Sequence, residues 1–570
     1  MTAVTASDGV NVTAPVAYAN GIDPTFAFVR VNGTRFVSTA DSTESFYFLG
    51  ANLWNGMSLG ASGPSGNRTR LGLDLDALAA AGITQLRILG ASEGPDSEPW
   101  RIVPSLQPCP GVYNPDVLDG FDYLISEMGK RRMRATVVLG NEWAWSGGHV
   151  QYVRWAQQQP DFDAATVNAS ACVPVGVDDA SQLRAPNITD PHWRSRGFQD
   201  IAYPGPGQGD WSQYQQLAGQ FYSSPTAQRM WQTNVRFLTG HVNIYTGIMH
   251  KDDPTIMAWQ LANEPRDGGG VHIFGDWLAN ASAFVKSLAP RQLVSTGMEG
   301  DTSYFSPSQS IIMSQRAASI DYVTAHLWVQ NWGVYHPGFD NSSLMNTTIA
   351  FAHQYISASA AEASYLNKPL VLEEFGFPRD LGSLSSEAAT TRRDMYYASV
   401  FDTLLASAQS RGVLAGINFW AFAGSGQPLA QGVPASPRQL CSGEPIPSGS
   451  SPASFTAQQP DWGACFGSQY ARPRACGADT WWATQSAWPP GQYHGQDTWL
   501  GDPPHESQGW YSVYTKDTTM AVIAAYAAAI NSTNTCAAAA VRTSLAPAGQ
   551  SGALACTVHI PQGRVGNLCP

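Results

Sequence analysis

Short apolar runs and amphipathic stretches alternate along most of this chain. The runs are Phe46–Trp54, Thr84–Leu89, Arg134–Leu139, Ile256–Leu261, Gln292–Thr296, Asp321–Trp328, Pro369–Glu374 and Leu414–Trp420. Their length and aliphatic content are those of strands buried on both faces. Between them, Leu73–Ala81, Asp116–Lys130, Ala227–Tyr245, Phe274–Leu288, about 346–365 and Ser386–Gln409 carry helical spacing, with Gly82 placed to cap the first. A last helix is expected over Met520–Asn531. Eight strands alternating with helices imply a parallel sheet, and its closure into a (β/α)8 TIM barrel is the predicted fold. An open doubly wound sheet would need a phosphate-cradling glycine loop after its first strand, and Gly50–Gly56 is not one. Ahead of the barrel, Phe26–Val37 alternates around Asn32-Gly33, the mark of a tight β-hairpin that could plug the barrel's bottom.

Two segments are too long for simple connections, about 144–225 and about 424–509. Both leave the C-terminal face, where they could wall a groove. The second carries Trp462, Trp481, Trp482, Trp488 and Trp499, read as loop core or as sugar platforms. The expected organisation is a leader over 1–24, a barrel domain over 25–532, and a short disulfide-tied, cysteine-containing tail over 533–570.

Composition narrows the partner. A net charge of −12 with 13% charged residues disfavours a phosphate backbone, so no nucleic acid is expected. Nineteen tryptophans suit a neutral polymer such as a polysaccharide. Apolar runs stop short of the ~18 residues a bilayer requires, so no membrane span is expected. The eight cysteines are scattered without a CxxC pair, which favours disulfides over zinc. Nine Asn-X-Ser/Thr sequons point the same way. Met1–Asn20 lacks an apolar signal core, so the expectation is a mature secreted, extracellular form behind a start methionine, monomeric. P-loop, G-x-S-x-G and H-E-x-x-H motifs are lacking, and neither cofactor nor metal is expected.

The polar residues at the predicted strand ends carry the chemistry: Arg87, Asn141, Trp143, Asn263, Glu264, His326, Trp328, Glu374 and Trp420. In a barrel of this kind such ends form the active face. Two carboxyls, one Arg, one His and several Trp suit glycosidic cleavage, which needs an acid for the leaving oxygen and a carboxylate for the oxocarbenium-like carbon. Arg87 near Glu374 would keep that carboxylate ionised, and a charged Glu374 would raise the Glu264 acid. Asn141-Glu142 repeats the Asn-Glu pair at another strand end, with a loop carboxylate or groove-lining residue as its plainer reading. Glu373 competes with Glu374, and strand alternation predicts that one of the two points inward. The one abutting Phe375-Gly376 is chosen.

Trp259-Gln-Leu-Ala-Asn-Glu-Pro-Arg266, His326-Leu-Trp-Val-Gln-Asn-Trp332, Glu373-Glu-Phe-Gly376 and Gly501-Asp-Pro-Pro-His-Glu-Ser-Gln-Gly-Trp510 resemble glycoside hydrolase family 5, specifically its endo-β-1,4-mannanase subfamily, over about 25–532. The resemblance implies a retaining mechanism, with Glu264 as acid/base, Glu374 as nucleophile and Asn263 on the sugar 2-hydroxyl. It places Arg87 and His326 around the pair, Trp420 under the sugar, Arg266 toward the leaving group and Trp143 along the groove. It departs in one place: many members carry Tyr two residues after the His, with its hydroxyl on the nucleophile, where this chain has Trp328. The implied function is endo-cleavage of β-1,4-linked mannan, glucomannan or galactomannan. Left open are an exo-β-mannosidase, a mannan transglycosylase, a β-1,4-glucanase and, least favoured, a non-catalytic carbohydrate-binding barrel.

Overall fold

The computed structural model describes residues 26–40, 45–63, 66–94, 102, 104–166, 211–268, 271–301, 310–426, 501–503 and 509–545. The leader, most of both long loops with the Trp462–Trp499 cluster, and the end of the tail lie outside these residues.

A small antiparallel meander comes first: β1 (Val29–Asn32), β2 (Arg35–Ser38) and β3 (Ser45–Phe46). Asn32 pairs with Arg35, so the turn is Gly33-Thr34, and Gly33 supplies the positive φ (61°) that such a tight turn requires. The fully buried Phe36 ring packs on Phe46, Phe48 and Tyr322, beneath the N-terminal ends of the barrel strands. The hairpin is therefore a bottom plug, as expected.

The barrel strands are β4 (Phe48–Asn52), β5 (Gln85–Leu89), β6 (Arg134–Val138), β7 (Ile256–Gln260), β8 (Leu293–Ser295), β9 (Val323–Leu327), β10 (Leu370–Phe375) and β11 (Leu414–Phe419). They pair in parallel in the order β8-β7-β6-β5-β4-β11-β10-β9. The remaining seam, between β8 and β9, is joined by Asp321: its N–H donates to Val294 O (2.8 Å) and its carboxylate accepts from Val294 N–H (2.6 Å). All eight strands fall where the apolar runs predicted them.

Several helices start earlier than their apolar spacing suggests, because caps set the start, whereas the helix expected over Ser386–Gln409 starts later, as Thr391–Ser410, with no side-chain cap at Thr390. Asn67 accepts from Arg70 N–H, so the first expected helix is Arg68–Ala80, not 73–81. Asn114 caps Pro115–Lys130, whose buried Val117, Phe121, Leu124, Ile125 and Met128 form one stripe against the barrel. Ser224 and Asn341 likewise open Pro225–Gly240 and Ser342–Tyr365. Among the described residues, two long helices were not predicted, Gly148–Gln158 and Trp211–Ser223, both in the first long loop, nor were the single turns Gly56–Gly60 and Ile311–Ser314. The buried faces of the two long helices carry Tyr152, Trp155, Tyr214, Phe221 and Tyr222 beside Val150, Val153 and Leu217. The last helix, Thr518–Leu545, runs through position 533, where the tail was expected to begin. There Asn534 exchanges two hydrogen bonds with the Tyr47 backbone, tying the helix to the base of β4. Cys109 is disulfide-bonded; the side chains of the other seven cysteines lie outside the described residues. Among the described residues no helix is long and apolar enough to cross a membrane.

Candidate active site

The C-terminal ends of β5, β7, β9, β10 and β11 bring Arg87, Asn263, Glu264, His326, Glu374 and Trp420 together. One oxygen of Glu264, one of Glu374 and a His326 ring nitrogen all lie within 4.8 Å of one another. Glu264 sits just past β7 in the left-handed region (φ 50°), a conformation that costs a non-glycine residue about 1–3 kcal/mol. Its backbone is held there by its own N–H to Gly297 O (2.9 Å), while Asn263 N–H donates to Gly140 O (2.9 Å). The surrounding barrel thus over-determines the turn that aims the carboxyl inward.

Arg87 is the spoke of the other carboxyl. Its Nη1 donates to Glu374 Oε1 and to Asn52 Oδ1 (3.1 Å), its Nη2 to Asn263 Oδ1 (2.7 Å), and its Nε to Gln260 Oε1 (2.9 Å). Asn52 and Gln260 were not singled out in the sequence, although a polar side chain inside an apolar strand is the signal that finds them. On Glu264, Trp143 Nε1–H donates to Oε2 (2.6 Å), and Trp328 Nε1–H reaches Oε1 (3.4 Å). Trp328 therefore serves the carboxyl opposite the one its usual Tyr counterpart is expected to touch. Its ring also meets Trp420 edge-to-face at 6.0 Å. The Arg266 guanidinium lies 4.6 Å above the Trp143 ring and pairs with Glu299 (2.9 Å), a buried carboxyl that sequence reasoning missed.

Two expectations need correction. Asn141 was counted with the sugar-binding residues, but it is fully buried. Its amide is engaged by Asn263 Nδ2 (3.1 Å), Trp143 N (3.0 Å) and Ser146 Oγ (3.0 Å), so it props Asn263 from behind. Glu142 beside it is equally buried, 3.4 Å from His149 Nδ1, and takes no part in the cluster. Second, strand alternation was expected to turn Glu373 outward. Instead, β10 slips against β9: Leu372 pairs with Ala325 and Glu374 with His326, leaving Glu373 as the extra residue of a bulge. Both side chains therefore enter the barrel, Glu374 upward and Glu373 beneath it, where it accepts from Gln260 Nε2 (2.5 Å) and Tyr322 Oη (3.2 Å).

The electrostatics also differ from expectation. His326 Nδ1 stands 2.7 Å from Glu264 Oε1 and 3.2 Å from Glu374 Oε2. Burial disfavours a charged imidazole, but Glu374, Glu264 and Glu373 outweigh it and hold His326 well above its ordinary value. Burial likewise pushes the Glu264 carboxyl up, yet the His326 proton, Arg266 and Trp143 prevail and hold it down at about 2. The site's proton thus rests on His326, not on Glu264 as expected from carboxylate repulsion alone. Glu299 goes the other way: burial, opposed by Arg266 and assisted by Glu264, lifts it to about 8.

Glu264, His326 and Glu374 are the group among the described residues whose donor atoms could converge on a metal ion. The fit is poor, because the Arg87 guanidinium already occupies Glu374 and the imidazolium lies between the two carboxyls. What the arrangement can do is deliver a proton from one side and a carboxylate from the other to a bond lying between them.

Comparisons with known proteins identify the family. A family model described as GH family 5 beta-mannosidase-like matches residues 26–445 and 468–535. A glycoside hydrolase family 5 mannosidase from Rhizomucor miehei is 30% identical, with a TM-score of 0.65 over 90% of this chain and 99% of its own. The same protein has been solved with mannosyl-fructose. Mannan endo-1,4-β-mannosidase 1 of Arabidopsis thaliana is 25% identical over 69% of this chain and 81% of its own length. Mannan endo-1,4-β-mannosidase 1 of Oryza sativa subsp. japonica is 27% identical over 69% and 78%. With its barrel, its paired carboxyls and a family match that spans most of its length, this chain belongs to the β-mannosidase-like members of glycoside hydrolase family 5 and is a glycoside hydrolase.

Proposed function

We propose that this chain is a secreted, retaining endo-β-1,4-mannanase acting on mannan, glucomannan or galactomannan. The observation that carries the chemistry is the approach of Glu264 and Glu374 to within 4.8 Å. Double displacement works with carboxyls about 5–5.5 Å apart, whereas inversion needs room for a water between them. Glu374, oriented by Arg87, attacks the anomeric carbon, and the carbon–oxygen bond to the leaving sugar breaks as Glu264 protonates that oxygen. The sugar is then held as an ester on Glu374. Glu264, now a carboxylate, takes a proton from water, and the hydroxide so formed displaces Glu374 with the original configuration restored. Trp420 offers an apolar face to the pyranose ring, and Asn263, fixed by Arg87 and Asn141, faces its 2-position. The plant relatives, named as mannan endo-1,4-β-mannosidases, support mannan as the substrate class.

A second reading, an exo-acting mannosidase, draws on one specific feature. Residues 509–514 fold over the rim beside Trp328: the Tyr511 ring lies 5.1 Å from it, Tyr511 Oη meets Asn331, and Trp510 Nε1 donates to Gln330 (3.1 Å). Such a wall shortens one end of the groove. One digest separates the readings. Mannan hydrolysed for short times and followed by proton NMR and chromatography gives a β-configured first product and a ladder of oligomers from an endo-acting retaining enzyme. A single mannose peak selects the exo reading, and an α-configured first product overturns retention.

A further inference from the structure

The bulge in β10 places a carboxyl that the mechanism above leaves without a role. Glu373 is 1% exposed and lies on the barrel axis side, directly below the reacting pair. Four groups face it. Gln260 Nε2 and Tyr322 Oη donate to it, Arg87 Nε stands 3.8 Å from its Oε2, and His326 Nε2 stands 4.0 Å from the same oxygen. The last distance is long for a hydrogen bond but inside ion-pair range. Its backbone oxygen accepts from Asn52 Nδ2 (2.8 Å), and Asn52 Oδ1 in turn takes Arg87 Nη1.

Three of these contacts lead upward into the site, while Tyr322 holds Glu373 from the plugged end of the barrel. Because Glu373 accepts only, the Gln260 amide must present Nε2 to it, which leaves Oε1 facing Arg87 Nε. Arg87 is thereby locked in the one plane that lets Nη1 reach Glu374 and Nη2 reach Asn263. On the other flank, His326 carries carboxylates at both ends of its ring, Glu264 and Glu374 at Nδ1 and Glu373 at Nε2. Arg87 offsets Glu373 and Glu374 from below, while Arg266 and Glu299 act on Glu264 from the rim.

We propose that Glu373 is a positioning residue of this reaction: it fixes the Gln260–Arg87 arm under the nucleophile and keeps His326 doubly protonated as the donor that charges Glu264. The inference rests on the glycosidase reading of Glu264 and Glu374. In the step it describes, the Nδ1–H bond of His326 breaks and an O–H bond forms on Glu264 Oε1. Imidazolium becomes imidazole, and Glu264 becomes the acid that protonates the leaving oxygen. When Glu264 later takes a proton from water, that proton returns to Nδ1, so the cycle closes without a net change.

The test is the pH dependence of kcat/KM on mannan oligosaccharides for the full chain, its E373Q and E373D variants, and E374A as control. Removing a charge about 4 Å from the imidazolium moves the basic limb of E373Q to lower pH by about one unit or more, while E373D stays within a few tenths of wild type. A purely structural role lowers activity or Tm without moving that limb. An E373Q limb that coincides with wild type overturns the proposal. If E373Q fails to fold, nitrogen NMR of His326 in the wild-type protein decides: both ring nitrogens protonated at pH 8 support it, and a neutral ring at pH 7 overturns it. An active wild type with a dead E374A and an unmoved E373Q removes this inference alone; an active E374A removes the glycosidase reading beneath it.

Discussion

At the scale of single residues, the site is a set of hydrogen bonds to two carboxyls, and each bond makes a prediction. Trp143 donates to Glu264 at 2.6 Å while its ring stacks on Tyr214 and beneath Arg266. Replacing Trp143 by Phe keeps an aromatic ring in the stack and removes the N–H. A hydrogen bond to a charged group is worth about 1.5–3 kcal/mol, so kcat/KM should fall roughly ten- to a hundredfold with little change in Tm. An unchanged rate would mean that Trp143 only lines the groove. Glu299 makes a stability prediction with a definite sign. Burial lifts its folded value to about 8, above its unfolded value, so its contribution is complete below the ordinary carboxyl range and is lost by the time pH has risen through about 8. Asp502, lifted by burial to about 6, adds to the same slope. Unfolding free energy should therefore decline between pH 5 and pH 8, and E299Q should flatten the part of that slope between pH 6 and pH 8. Glu264, held at about 2, contributes the opposite slope only below the ordinary carboxyl range, so the two windows do not overlap. Urea midpoints taken across this range decide it; equal slopes for both proteins would remove Glu299 from the ledger.

At the scale of elements, the strands were legible and their ends were less so. Buried parallel strands announce themselves as apolar runs because both faces are covered, and Ile256–Gln260 and Leu370–Phe375 needed little else. The register was not legible. The slip between Leu372 and Glu374 is a matter of pairing with β9, which a single run of residues does not encode, and it is why Glu373 was turned the wrong way. Protonation was equally hidden, because it depends on His326 standing between carboxyls from two other strands. The helices of the first long loop escaped because their packing is aromatic and made between distant segments, His149 stacking on Phe221, and Phe221 meeting Tyr222 and Trp277, the last on the helix Val271–Leu288. The hairpin plug carries its own prediction. Phe36 fills the base of the barrel against Phe46, Phe48 and Tyr322, far from the rim. Phe36→Ala should cost about 3–5 kcal/mol in denaturant unfolding, yet leave kcat and KM of the folded fraction unchanged. A loss of turnover without a loss of stability would contradict the separation of bottom and top.

At the scale of the whole molecule, the barrel divides the labour between its two ends. The N-terminal end is closed by β1–β3 and by the last helix, whose Asn534 clasps Tyr47. The C-terminal end collects the polar residues, and its walls come from the helices Gly148–Gln158 and Trp211–Ser223 and from the rim segment 509–514. On the proposed reading those walls, not the reacting carboxyls, would set how much of a polysaccharide fits, which is why the chemistry was readable from motifs while the length of the groove was not. The claim on which all of this depends is that Glu374 forms a covalent bond to the sugar. The most direct measurement is to trap the enzyme with a 2-deoxy-2-fluoro mannosyl fluoride and locate the adduct by peptide mass spectrometry. The account predicts one sugar per chain, on Glu374. An active enzyme that yields no adduct, or one labelled on Glu373, would contradict it.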